Sequence, residues 1–116
     1  MKQYEIWWAQ LPRPIGRRPV LLLSRDSAFE YLSRFIVVEI TTRIRNIPVE
    51  VALGSGEGLP AKSVANFDNL HVVPKASLVS KLGVVRPGRQ TEIKRALGYA
   101  LGWDELKGAR GVSSEA

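Results

Sequence analysis

Spacing is what most limits the fold of this chain. Its apolar, β-rich runs are short, and most gaps between them are too short for crossover helices. Parallel βαβ units need connections of a dozen or more residues, so a Rossmann-type sheet is excluded and an antiparallel one is expected. Two runs anchor the pattern, Val20–Leu23 and Phe35–Ile40. Both are nearly all apolar, as in strands buried on both faces. Each ends against polar residues: Arg17 and Arg18 stand at the entrance of the first, and Thr41, Thr42 and Arg43 at the exit of the second. If the runs share a sheet, those ends meet at one rim as a cationic, hydroxyl-bearing pocket.

The flanking segments complete the pattern. Tyr4–Leu11 reads as a strand rich in β-formers, with Trp7 and Trp8 on opposite faces: one belongs to the core, the other to a stack or an interface. A loop with two prolines and a glycine follows, and Pro19 is expected to open the next strand. Asp26 is the expected N-cap of a short helix running to about Ser33, with Ala28, Phe29 and Leu32 on one face. A turn at Asn46 precedes an alternating strand over Val49–Leu53. Gly54–Gly58 reads as a flexible connection; it lacks the Gly-Lys-Ser/Thr ending of a phosphate-binding P-loop. Ser63–Phe67 and Leu70–Val73 read as two short strands about Asp68-Asn69, and Leu82–Val85 as the last. Pro87 favours a helix start, Ile93, Leu97 and Leu101 share a face, and Gly102 suits the position after the last turn. Gly98 weakens that helix by roughly 1 kcal/mol against alanine, so packing has to compensate. The fold class expected is mainly β with α: a small, strongly curved antiparallel sheet or barrel of about six or seven strands, a short internal helix and a C-terminal helix. A single domain over residues 1–116 is expected, its core about 4–103, its tail from Lys107 frayed.

Charge narrows the function. With 17 Lys and Arg against 11 acids, the net charge is +6, which favours a polyanionic partner. Between Arg13 and Arg45 there are seven arginines, no lysine and only Asp26, Glu30 and Glu39 as acids, a local excess of +4. Guanidinium forks match phosphate oxygens. Zero cysteines exclude a disulfide framework or thiolate metal site and fit a reducing compartment. Glu5 interrupts any apolar stretch at the N-terminus, so no signal peptide is expected, and no apolar run is long enough to span a membrane.

The segments Ile6-Trp7-Trp8-Ala9-Gln10-Leu11, Arg18-Pro19-Val20-Leu21-Leu22-Leu23-Ser24, Ile40-Thr41-Thr42 and Asn66-Phe67-Asp68-Asn69-Leu70 occur in an order that resembles the MazF/PemK toxins of bacterial toxin–antitoxin pairs. The resemblance implies an SH3-like β-barrel with a C-terminal helix, a homodimer, and a cytoplasmic, sequence-specific endoribonuclease acting on single-stranded RNA, mostly mRNA. It implies no metal or cofactor, products with 2′,3′-cyclic phosphate and 5′-hydroxyl ends, and inhibition by a cognate MazE-like antitoxin. It assigns the catalytic arginine to Arg18 and the catalytic threonine to Thr41. The chain departs from the family in its short first loop without Ser-Glu-Gln, in Glu39 where a proline or small residue is common, and in His71 where an arginine is common. These departures bear on the cleavage sequence and on catalytic strength.

Metal-free RNA cleavage needs a base for the ribose 2′-hydroxyl, positive charge for the phosphorane, and protonation of the leaving 5′-oxygen. Arg18 suits the second role and Thr41 can donate a hydrogen bond. Arginine holds its proton too firmly to serve as a base, which leaves His71, the only histidine, or Glu39, two residues before Thr41 and on the same strand face. Arg13, Arg17 and Arg43 are candidates to follow the RNA backbone. Two other functions suit the same barrel: gripping DNA gyrase as the CcdB toxin does, through the helix end around Tyr99 to Trp103, and plain nucleic-acid binding.

Overall fold

A computed structural model describes residues 1–108; of the tail from Lys107, expected to fray, Lys107 closes a short helix and Gly108 follows it, and the remainder lies outside the described residues. Six strands form one antiparallel sheet: β1 (Glu5–Gln10), β2 (Arg17–Leu22), β3 (Arg34–Thr41), β4 (Glu50–Leu53), β5 (Ser63–Pro74) and β6 (Leu78–Val84). Their spatial order is β4-β5-β3-β2-β1-β6. The two anchor runs, β2 and β3, are neighbours at its centre, as the rim reading requires. Helix α1 (Ala28–Tyr31) interrupts the β2–β3 connection, and α2 (Gln90–Leu101) and α3 (Asp104–Lys107) follow the sheet. Among the described residues no helix is long and apolar enough to cross a membrane.

Both faces of the central strands are buried over most of their length, which explains their lack of alternation; Ile36, expected inside, is 46% exposed near the start of β3. On one face Ile6, Leu21, Val38, Ile40, Ala65 and Phe67 pack with Ile93 and Ala96 of α2. On the other, Ala9, Val20, Leu22, Phe35 and Val37 pack with Ala28 of α1. The sheet curls until the turn after β4 meets β6 at its opposite edge. There Gly58 and Gly83 lie so close that a Cβ on Gly83 would stand 2.1 Å from the Glu57 carbonyl oxygen, and one on Gly58 2.1 Å from that of Leu82. The expected flexible glycine connection is therefore a wedged 3₁₀ turn, Ser55–Glu57, that completes the barrel. Arg89 fastens α2 to it: its Nη1 lies 3.4 Å from Glu57 Oε2, its Nε and Nη2 hold Glu92, and Nη2 donates to the Ala52 carbonyl at 2.7 Å.

Several boundaries differ from expectation, for physical reasons. Ser63–Pro74 is one long strand rather than two; Asp68 and Asn69 sit on a bulge opposite the Val38–Ile40 segment, where the register shifts without the strand ending. Strand β6 begins at Leu78, before its apolar stretch, since its outer residues face solvent. Helix α1 is shorter than expected, and Asp26 does not cap it: its carboxylate accepts from the Gln3 N–H at 2.7 Å. Leu101 is exposed, because eight residues beyond Ile93 is a rotation of about 80° off the buried stripe. Gly98 has its packing reason: a Cβ there would stand 2.7 Å from Leu106 Cβ in α3. Gly102 takes the left-handed conformation expected of it, φ +72°.

Candidate active site

Pro19 lies inside β2, opposite Trp8, rather than opening the strand. It pairs only with β1; the β2–β3 ladder runs through Leu22–Val37, Leu21–Val38 and Val20–Glu39 and stops there. Proline has no N–H to continue it. Extending the register by two residues sets Arg18 opposite Thr41, at the place where the ladder has ended. The sheet's lip is thus formed by two facing side chains on strands no longer hydrogen-bonded to each other.

The side chains meet there. Arg18 Nη1 lies 3.5 Å from Thr41 Oγ1. Arg18 Nε lies 3.6 Å from Glu39 Oε1, and Glu39 Oε2 is 3.2 Å from His71 Nε2. The pleat explains this: Val20 pairs with Glu39 and Val37 with His71, so Arg18, Glu39, Thr41 and His71 share one face. Glu39 is the most enclosed of the ionic group, its side chain 12% exposed against 38% for Arg18 and 24% for His71. Thr41 Oγ1 also accepts the Arg43 N–H at 3.2 Å, so its own hydrogen remains available to donate.

Two clefts meet at this lip. One, of about 200 Å³, is lined by Arg18, Glu39, Thr41, Arg43, Arg45, Asn66 and Asn69. Three guanidinium-bearing residues surround a single carboxylate, so the cleft suits a phosphate. The other, of about 270 Å³, shares Arg18 and Thr41 and is walled by Trp8, Arg17, Pro19 and Pro60. Trp8 therefore borders a cleft, while Trp7 packs against the second core cluster and donates its indole N–H to Glu5. Thr41 borders both clefts and Thr42 only the Trp8 side.

Of the residues expected in the site, Arg18, Thr41, Glu39 and His71 come together, Arg43 lines the phosphate-sized cleft, and Arg17 covers Trp8. Arg13 is exposed in the first loop and lines neither cleft. Sequence reasoning missed Arg45, Asn66 and Asn69 as cleft residues. Asn66 and Asn69 fall in a motif already singled out, but only the β5 bulge turns them to the lip; Asn66 Oδ1 accepts the Asp68 N–H at 2.9 Å and shapes that bulge.

A curled six-stranded antiparallel sheet followed by a C-terminal helix is the architecture of a class of bacterial toxins. The family model for the PemK-like, MazF-like toxin of type II toxin–antitoxin systems matches residues 2–101, and the chain belongs to that family. Over 98 residues, 84% of this chain and 89% of the relative, it is 41% identical to a probable endoribonuclease MazF5 of Mycobacterium tuberculosis. The solved toxin MazF-mt6 of Mycobacterium tuberculosis superposes with a TM-score of 0.81 at 31% identity, covering 86% of this chain and 98% of that one. A mycobacterial endoribonuclease solved in complex with its cognate antitoxin gives 0.78 at 29%, covering 89% and 96%.

Proposed function

We propose that this toxin, an endoribonuclease, cuts single-stranded RNA, chiefly mRNA, at the lip between Arg18 and Thr41. The supporting observation is the convergence of Arg18, Glu39 and Thr41, from two strands, at the end of the β2–β3 ladder that Pro19 leaves open. The scissile phosphate lies against the Arg18 guanidinium and the Thr41 hydroxyl. Glu39, oriented by His71, takes the ribose 2′-hydroxyl proton. The 2′-oxygen forms a bond to phosphorus, and charge on the phosphorane is held by Arg18 and Thr41. The P–O5′ bond then breaks, and the 5′-oxygen takes a proton from solvent in the open cleft. The products are a 2′,3′-cyclic phosphate and a 5′-hydroxyl, and no metal ion takes part. Arg17 and Arg43 guide the backbone on either side, and Arg13 meets it further along.

The reading extends to partners. A cognate antitoxin, such as the one bound by the mycobacterial relative, silences the enzyme by laying acidic residues over the same arginines. The working form is a homodimer, and the site of action is the cytoplasm, where mRNA is translated. Incubating the protein with a long single-stranded RNA in EDTA, then mapping the ends, tests the proposal. Discrete cuts with cyclic-phosphate ends, abolished in Arg18→Ala, are expected. Intact RNA would overturn it, and inhibition of gyrase by the same preparation would replace it with the gripping mode.

A further inference from the structure

The cleft on the Trp8 side has no part in the proposed chemistry, yet it opens onto the reacting groups. By the pleat, Trp8, Pro19 and Ile40 lie on the opposite face from Arg18, Glu39 and Thr41, so the lip divides an ionic side from an aromatic one. Trp8 pairs across the sheet with Pro19, the residue that ends the β2–β3 ladder, which ties the indole to the lip. Its indole N–H has no partner among the described residues, whereas that of Trp7 is taken by Glu5 at 2.9 Å. Tryptophan at such a site presents an open π-face and an unused donor. The exposed Arg17 lies over the ring, with the guanidinium carbon 4.8 Å from the ring centroid. Ser63, at the floor, donates its hydroxyl hydrogen to the Ala61 carbonyl at 2.8 Å, which leaves its oxygen able to accept.

We propose that this second cleft is a nucleobase subsite, in which a base next to the scissile linkage stacks on Trp8. The base displaces the Arg17 guanidinium, which turns to the adjoining phosphate. A nucleotide strand crossing the lip places its phosphate between Arg18 and Thr41 and its base on the far side, against the indole. Trp8 is thus a specificity and positioning residue that does not touch the reacting atoms. An edge read by one acceptor beside the ring, Ser63 Oγ, makes the subsite selective among bases rather than merely adhesive. This inference rests on the lip being the cleavage site.

The test measures kcat/KM for wild type, Trp8→Phe and Trp8→Ala on a short RNA containing one cleavage site. A matching set of RNAs carries an abasic nucleotide at each position around the cut. At one position beside the cut the abasic change is expected to lower wild-type kcat/KM by about 5- to 150-fold, the worth of one base–aromatic stack. Trp8→Ala should lose a similar factor on intact RNA and nothing further on that abasic RNA, and Trp8→Phe should keep most of the activity. Equal Trp8→Ala losses on intact and abasic RNA, or no loss at all, would overturn the subsite. If Trp8→Ala melts early, the abasic series on wild type and Trp8→Phe decides alone: no sensitive position next to the cut refutes the proposal. Failure of wild type to cut any RNA refutes the cleavage reading itself, a separate outcome.

Discussion

Replacing Glu39 with glutamine separates binding from chemistry, because the two should move in opposite directions. The amide keeps the size of the carboxyl and can still accept a hydrogen bond from His71, so the change is close to a pure loss of charge. In the free protein that charge sits 3.6 Å from Arg18 and competes with any incoming phosphate. At this distance two unit charges interact by about 1.2 kcal/mol in water and about 4.6 kcal/mol at an effective dielectric of 20. Arg18 is 38% exposed, so the lower end applies, and the net worth of the pair is taken as about 1 kcal/mol. Releasing Arg18 from it should tighten RNA binding by about fivefold. Loss of the base should slow cleavage by about 10²- to 10⁴-fold. Affinity is read with an RNA carrying a 2′-deoxynucleotide at the cut, which cannot react, and rate by single-turnover cleavage of its ribose counterpart. A single-turnover rate within threefold of wild type would show that Glu39 is not the base. Affinity and rate falling together, with a lowered melting temperature, would show that Glu39 only supports the local structure.

Arg18→Lys keeps the positive charge but loses the fork, and single-turnover cleavage should fall by about 10²- to 10³-fold, as when one oxyanion donor is removed. Arg43→Ala should reduce the slope of log affinity against log salt by about 0.7 on single-stranded RNA, measured by titration at several ionic strengths. Gly83→Ala pushes a methyl group into the Glu57 carbonyl and should cost about 1–3 kcal/mol in chemical denaturation, while Gly56→Ala, with nothing within 4 Å, should stay within about 0.5 kcal/mol of wild type. Acid stability should rest partly on Glu92 and Glu5. The Arg89 fork holds the Glu92 carboxyl below its ordinary value of 4.5; burial pushes Glu5 up, but bonds from Trp7, Lys81 and the Lys2 backbone outweigh it. Lowered folded values mean stability that is complete above pH 4.5 and lost as pH falls through them. Urea unfolding between pH 5 and 2 should therefore show a shallower pH dependence in Glu92→Gln and Glu5→Gln than in wild type.

Local sequence is enough to establish the antiparallel β class, the two central strands, the C-terminal helix with its Gly102 ending, and the polar pairs at the strand ends. Each is written in local pattern: apolar runs too close for crossovers, a helical stripe, a glycine suited to positive φ. Arg18 and Thr41 were legible as a pair through the family resemblance, and Glu39 through its parity with Thr41. Tertiary structure decided the rest, because it depends on contacts between residues far apart in the chain. Pro19 looks like a strand opener until β3 is beside it; only then does its missing N–H become the end of a ladder and the opening of a lip. Asp68-Asn69 looks like a turn until pairing with β3 absorbs it as a bulge that brings Asn66 and Asn69 into the cleft. The glycine-rich connection looks flexible until the curl of the sheet presses it against β6. Glu39 joins Arg18 to His71, 32 residues further on, only because β3 lies between β2 and β5.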